Sequence, residues 1–191
     1  MKSFTLDMNC LIAIENDEPA KVHVLALIEA ADAKKIALSM VASGASERQP
    51  GGVYLNNIAD FKERMRSLGF GSVDLLKPIG RQDISFWDHA IYGSEEAAAR
   101  EKQIFEALFP RHSASWSEYA AAHGADVDNL SSTQGRKWKN MLGDAQAFWG
   151  HEYYGADHFV TSDDNFRRKL VLTCKVPADT ILTPMEARAK I

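Results

Sequence analysis

Gly143-Asp144-Ala145-Gln146-Ala147-Phe148-Trp149-Gly150-His151-Glu152-Tyr153-Tyr154-Gly155-Ala156-Asp157-His158-Phe159-Val160-Thr161-Ser162-Asp163-Asp164-Asn165-Phe166 is the stretch on which the fold turns. After Asp144, the residues Ala145, Phe148, Trp149 and Tyr153 recur at helical spacing and predict an amphipathic helix with a partly aromatic stripe, beginning near Asp144. Gly155 is the expected stop. His158 to Thr161 is short, apolar and β-branched enough for a buried strand, and Thr161 to Asn165 is a polar turn. If a short glycine-led turn reverses helix into strand, Asp144 and Asp163 fall on the same side of the sheet.

Two carboxylates brought together repel by a few kcal/mol at protein contact distances, roughly, so a proton or a cation must stand between them. The amino terminus supplies a third acid. Phe4-Thr5-Leu6-Asp7-Met8-Asn9-Cys10-Leu11-Ile12 reads as a strand running straight into a helix, with Asp7 at the strand end and Asn9 placed to cap. Ligands of open α/β sheets bind at the carboxyl ends of parallel strands, where Asp7 and Asp163 belong if their strands are neighbours.

These two segments resemble the two ends of a PIN domain, the nuclease fold of VapC-type toxins. Leu6-Asp7-Met8-Asn9-Cys10-Leu11-Ile12 carries one end. Asp144-Ala145-Gln146-Ala147 together with Gly155 through Phe166 carries the other, and Thr161, Asp163, Asn165 and Phe166 follow the family's Thr-x-Asp-x-Asn-Phe pattern. Ile181-Leu182-Thr183-Pro184 is similar to that family's last strand. The likeness covers roughly the first 50 and last 50 residues by motif spacing.

The resemblance implies a three-layer α/β/α fold with a central, mostly parallel sheet. It implies Mg²⁺ or Mn²⁺ held by Asp7, Asp144, Asp163 and a fourth acid, for which Glu47 is the candidate although its gap from the second strand is slightly long. Asn9 and Thr161 would be supporting polar groups, with Asp164 a weaker substitute for Asp163. The implied activity is endoribonuclease hydrolysis leaving 5′-phosphate and 3′-hydroxyl ends, in the toxin half of a toxin–antitoxin pair or a free-standing nuclease. The implied partners are RNA, a separate small antitoxin protein and a second copy of the chain.

At 191 residues one domain is expected, spanning 1–191. Hydrophobic content of 46% and charged content of 25% are those of an ordinary globular chain. The longest apolar run, Val22 to Ala33, is interrupted by His23, Glu29 and Asp32, which excludes a membrane span there. Met1-Lys2-Ser3-Phe4 enters a strand at once, so a cytoplasmic location is expected. Cys10 and Cys174 stand outside any CxxC spacing and read as reduced, buried small hydrophobes, and His151-Glu152 is not followed by a zinc-protease histidine.

A net charge of −4 argues against a broadly basic nucleic-acid surface, though a metal would convert an acidic cluster into a phosphate-attracting one. Local cations for strand contact are Arg48, Lys137, Lys139, Arg167 and Arg168, with Arg136 and Lys169 beside them. The remaining expectations are a helix after Glu18-Pro19-Ala20 through Ala33, a strand over Ile36–Val41 and a helix over Asn57–Leu68. A third strand is expected within Val73–Ile79, helices over Glu95–Leu108 and Trp116–His123, and a helical approach to Asp144 over Ser132–Met141. Roughly 80–131 would form a helical insertion or cap.

Each acid also has an ordinary explanation. Asp7 can be a cap, Asp144 a charge favoured by a helix dipole and Asp163 turn chemistry; only their joint spacing favours a metal site. Trp138, Trp149 and Tyr153 are expected in the core. Two rival functions stay open: a non-catalytic PIN-like protein- or RNA-binding module, and a phosphotransferase of haloacid-dehalogenase type. The latter wants a second Asp where this chain has Asn9.

Overall fold

A computed structural model describes residues 1–43, 57–82 and 84–191. The strands β1 (Lys2–Leu6), β2 (Ile36–Val41), β3 (Asp74–Leu76), β4 (His158–Val160) and β5 (Ile181–Leu182) form one sheet. Its order is β3-β2-β1-β4-β5, and every neighbouring pair is parallel. Among the described residues eight α-helices accompany it: α1 (Met8–Glu15), α2 (Lys21–Asp32), α3 (Ile58–Ser67), α4 (Glu95–Leu108), α5 (Trp116–Ala122), α6 (Thr133–Tyr154), α7 (Asp164–Thr173) and α8 (Pro184–Arg188).

The period-two alternation of the strands sorts side chains into two cores. Phe4, Leu6, Leu38, Met40, Val160 and Leu182 pack with residues of α1, α2, α3 and α8. Phe159 and Ile181 point the other way, into a cluster with Ile104, Phe105, Tyr119, Phe148, Trp149 and Leu170 from α4, α5, α6 and α7. The result is a three-layer α/β/α architecture. The 80–131 segment is helical, but α4 packs on α6 and α7 and shares their core, so it is part of one covering layer. No helix among the described residues is long and apolar enough to cross a membrane.

The helical approach expected over Ser132–Met141 is the first half of α6, and only the placing of Asp144 at a helix start is corrected. The helix begins at Thr133 with Ser132 as its cap, so Asp144 lies in the helix interior, about three turns from the amino end. Trp138 and Leu142 extend the stripe of Ala145, Phe148 and Trp149 without a break, which carries the helix through Gly143. Gly155 ends it at φ +69°, in the left-handed region that glycine tolerates.

Two smaller expectations also change. Tyr153 is 57% exposed and stacks on Trp149 from outside, whereas Trp138 and Trp149 are buried as expected. Cys10 is buried but Cys174 only half-buried. The third strand shrinks to Asp74–Leu76, with Ile79 bridging to Ile91 beyond it.

Close approach of α6 to β2 depends on Gly150. A Cβ at that position would stand 2.6 Å from Val41 Cγ2, and valine has little rotamer freedom with which to yield. Gly150→Ala should therefore destabilise the chain by about 1–3 kcal/mol in urea denaturation, overriding the gain of about 1 kcal/mol in helix propensity. In a Val41→Ala background the same change should turn neutral or stabilising. A stabilising effect in the native background would refute the contact.

Candidate functional site

The strand order reverses between β1 and β4, because β1 continues to β2 on one side and β4 to β5 on the other. At such a switch point the loops leaving the two strands diverge and open a crevice at the carboxyl edge. Asp7 leaves β1 and Thr161-Ser162-Asp163 leaves β4, so both expected strand-end acids lie on that edge. Asp7 N donates to Val160 O at 2.9 Å, which carries the sheet register one step past the strands.

Asp7 is the N-cap of α1, its Oδ1 accepting from Met8 N at 2.7 Å. This corrects the expectation that Asn9 caps. Asn9 Nδ2 instead donates to Asp7 Oδ2 and to Thr161 Oγ1, each at 2.7 Å. Thr161 Oγ1 donates to Asp7 Oδ2 at 2.7 Å, and Ser162 N donates to Asn9 Oδ1 at 3.3 Å. The loops after β1 and β4 are thus tied by side chains whose shared centre is one carboxylate.

Asp163 plays the matching part in α7. It is that helix's N-cap, with Oδ1 accepting from Asn165 N at 2.8 Å and Phe166 N at 3.1 Å, while its own N–H donates to Thr161 Oγ1. Asp163 and Asp164 are exposed, whereas Asp7 is only 7% exposed. Burial pushes the Asp7 carboxyl up to about 6, against the pull of its bonds to Thr161 and Met8, and the charge of Asp163 raises it further. Asp7 therefore titrates near neutrality and responds to Asp163.

Helix α6 carries Asp144 toward the same end of the sheet. Asp144 lies one turn from Phe148 and two from His151, on one helical stripe. Phe148 touches Phe159 and Phe166, and His151 Nδ1 meets Thr5 Oγ1 at 3.4 Å, so that stripe runs over β1 and β4. Seven residues of helix carry Asp144 about 10 Å beyond His151, and two residues of strand carry Asp7 about 7 Å beyond Thr5, both toward the carboxyl edge. Buried Ser43, just past β2, donates to Gly143 O at 3.2 Å and fixes α6 at that level. In sequence Ser43 is one of the small residues Ala42 to Ser46, read as letting a helix approach closely, but nothing there singles out its hydrogen bond.

Among the described residues, no three His, Cys, Asp or Glu side chains are close enough together to hold a metal ion. The acids that clearly act on one another are Asp7 and Asp163, with Asp144 arriving separately on α6. Glu47 and Arg48 lie outside the described residues. Of the expected cations, Arg167 is engaged by Glu186 at 2.9 Å and by Ala178 O at 3.1 Å, which joins α7 to α8. Arg168 is exposed, with Nη2 donating to Asn165 Oδ1 at 2.7 Å. Lys137 is exposed on α6, and Lys139 is half-buried, which holds its ammonium below the usual lysine range.

No family model, curated protein or solved structure matches this chain. The geometry of the edge therefore stands on its own.

The acid edge has a pH signature. Asp7 is raised from 3.8 to about 6, so its contribution to stability is fully present below 3.8 and is lost as pH rises through 6. His151, buried among aromatic rings, is lowered from 6.5 to about 4 by that burial; its contribution is present above 6.5 and is lost as pH falls through 4. The two oppose each other in the native chain. Asp7→Asn removes one of them, so between about pH 7.5 and 5 the variant should lose about 1–2 kcal/mol more stability than the native chain in urea denaturation. Parallel profiles would show that Asp7 titrates normally.

Proposed function

We propose that this protein is a divalent-metal-dependent endoribonuclease that hydrolyses RNA phosphodiester bonds at the carboxyl edge between β1 and β4. One observation carries the proposal. A buried carboxyl, Asp7, and a second acid, Asp163, are tied to one hydroxyl, that of Thr161, at the topological switch point of a parallel sheet, where such folds bind their ligands.

The donor set fits a hard cation. Asp7, Asp163 and Asp144 offer only oxygen, which suits Mg²⁺ or Mn²⁺. A cation would also relieve the repulsion between Asp163 and Asp7. Bound there, such an ion would relieve charge on the phosphate and acidify a water for attack. The chain itself does the positioning. Asn9 and Thr161 hold the Asp7 carboxylate in one orientation through Oδ2, and Met8 N fixes its other oxygen. Asp163 is held by two backbone N–H groups through Oδ1. Arg168 and Lys137 are the exposed cations of the expected set, suited to phosphate contact. The likeness to VapC-type toxins extends the proposal to a small inhibitory antitoxin and to a homodimer.

A second reading has its own support. Asp7 and Asp163 each cap a helix, which a non-catalytic PIN-like binding module would need just as much.

Asparagine caps helices about as well as aspartate, so Asp163→Asn separates the two. With Mg²⁺ or Mn²⁺ and mixed single-stranded RNA, the native protein should cut. Asp163→Asn and Asp7→Asn should each lose roughly a hundredfold or more of that rate, as should the native protein with chelator. Circular dichroism should show the fold retained. Cutting that survives both substitutions and chelator would overturn the proposal, and absence of cutting with intact binding of RNA or a partner would favour the module.

A further inference from the structure

Helix α6 carries one side-chain stripe past the end of the sheet. Lys137, Met141 and Asp144 fall at i, i+4 and i+7, in line with Phe148 and His151 farther on. Phe148 and His151 are buried over β1 and β4, whereas Lys137, two turns or about 10 Å before Asp144, is exposed. Beside it a hollow of about 430 Å³ opens between α5 and α6. Lys137, His112, His123, Gln134 and Asn140 line it together with Tyr119 and Met141, and the lining contains no Asp or Glu. In a chain with 26 acidic against 22 basic side chains, that is a local reversal of sign.

The donors of this hollow are uncommitted. Arg64, Arg81, Arg100 and Arg167 are each paired with a carboxylate, but the side chains of Lys137 and Asn140 have no hydrogen-bond or ion-pair partner among the described residues. Tyr119 Oη donates to Gln134 Oε1 at 3.5 Å, which engages the oxygen of that amide and leaves its N–H₂. His123 stacks on Tyr119 with ring centroids 4.0 Å apart, and its Nδ1 donates to Tyr119 O at 2.8 Å. That bond fixes the tautomer, so Nε2 is the nitrogen that can gain a proton. A bound anion favours that gain, which turns a lone pair into a charged donor. His112 stands 5.5 Å from Tyr119 and 5.4 Å from His123, so it flanks the stacked pair and leaves His123 exposed.

We infer that this hollow seats a phosphate group, and that the phosphate belongs to a single-stranded RNA whose neighbouring phosphodiester lies at the acid edge. Two features favour a strand over free phosphate. The α6 stripe sets the hollow about 10 Å along the helix from Asp144, a span that one strand covers. Lys137 supplies one full positive charge, which matches the single charge of a phosphodiester better than the near-double charge of a free or terminal phosphate. The assignment to RNA rests on the nuclease reading above; the phosphate site itself does not.

With chelator present, the full chain should bind a labelled single-stranded oligoribonucleotide of about eight nucleotides without cutting it, as read by fluorescence anisotropy. Lys137→Gln should weaken that binding about five- to tenfold and flatten the slope of log affinity against log salt by about 0.7, the share of one phosphate contact to a single strand. Lys137→Arg should restore both. Lys35→Gln, at an exposed lysine just before β2 on the opposite edge of the sheet, should change neither, with thermal denaturation confirming the fold of all three variants. Inorganic phosphate, titrated by calorimetry, should bind more weakly than the oligonucleotide. Equal losses in Lys137→Gln and Lys35→Gln would overturn the inference, as would RNA affinity unmoved by Lys137→Gln or no binding of either probe up to about 1 mM. Tighter binding of inorganic phosphate than of RNA would overturn the assignment to a strand. With Mg²⁺ present, Lys137→Gln should raise KM and leave kcat within about twofold. Binding without cutting would sink the nuclease reading alone, and cutting with an unchanged KM would sink the phosphate site alone.

Discussion

Much of this molecule depends on the carboxylate of Asp7 being held at the point where the sheet reverses. Three groups bond to it: the N–H of Met8 opens α1, and Asn9 and Thr161 bridge to the loop after β4, while Asp163, the cap of α7, donates its own N–H to Thr161. Two strands far apart in sequence are thereby locked at one height, with Leu6 opposite Val160. The charge is costly, because burial alone pushes the carboxyl toward neutrality. An apolar or amide residue would satisfy the sheet at lower cost. Retaining an acid there makes sense if something other than folding uses it.

The fold was legible where local periodicity and burial agree. β2 over Ile36–Val41 and α4 over Glu95–Leu108 match their expected bounds, since a run apolar but for Ser39 and an alanine-rich stretch leave no competing structure. Strand-end placement of Asp7 and Asp163 was legible for a similar reason. In each case a short apolar run stops at a polar residue, and that residue caps the next helix.

What the sequence could not settle was depth and partnership. Asp144 was placed at the start of α6 because an acid ahead of an apolar stripe looks like a helix start, whereas the helix runs from Thr133 and Ser43 bonds its Gly143 carbonyl from outside. Tyr153 shares the helical spacing of the stripe but falls at its rim, where the sheet no longer covers it. Arg167 stands beside the Thr161–Asn165 turn in sequence, yet Glu186, from a capping box nineteen residues on, engages its guanidinium. Each miss concerns a contact between residues distant in the chain, which periodicity does not encode.

Capping and metal chemistry are compatible uses of the same acids. A cap engages one carboxylate oxygen; Asp163 gives Oδ1 to the α7 backbone. Asp7, with partners on both oxygens, is held more tightly but is buried beside an exposed acid, so a cation arriving from solvent would meet Asp163 first and Asp7 behind it. Helix amino termini favour negative charge, so the dipole adds to the cap bonds of an aspartate at either helix start. The same electrostatics that make aspartate a good cap at two helix starts therefore deliver two carboxylates to one crevice, and the parallel sheet supplies the coincidence by placing both helix starts on its carboxyl edge.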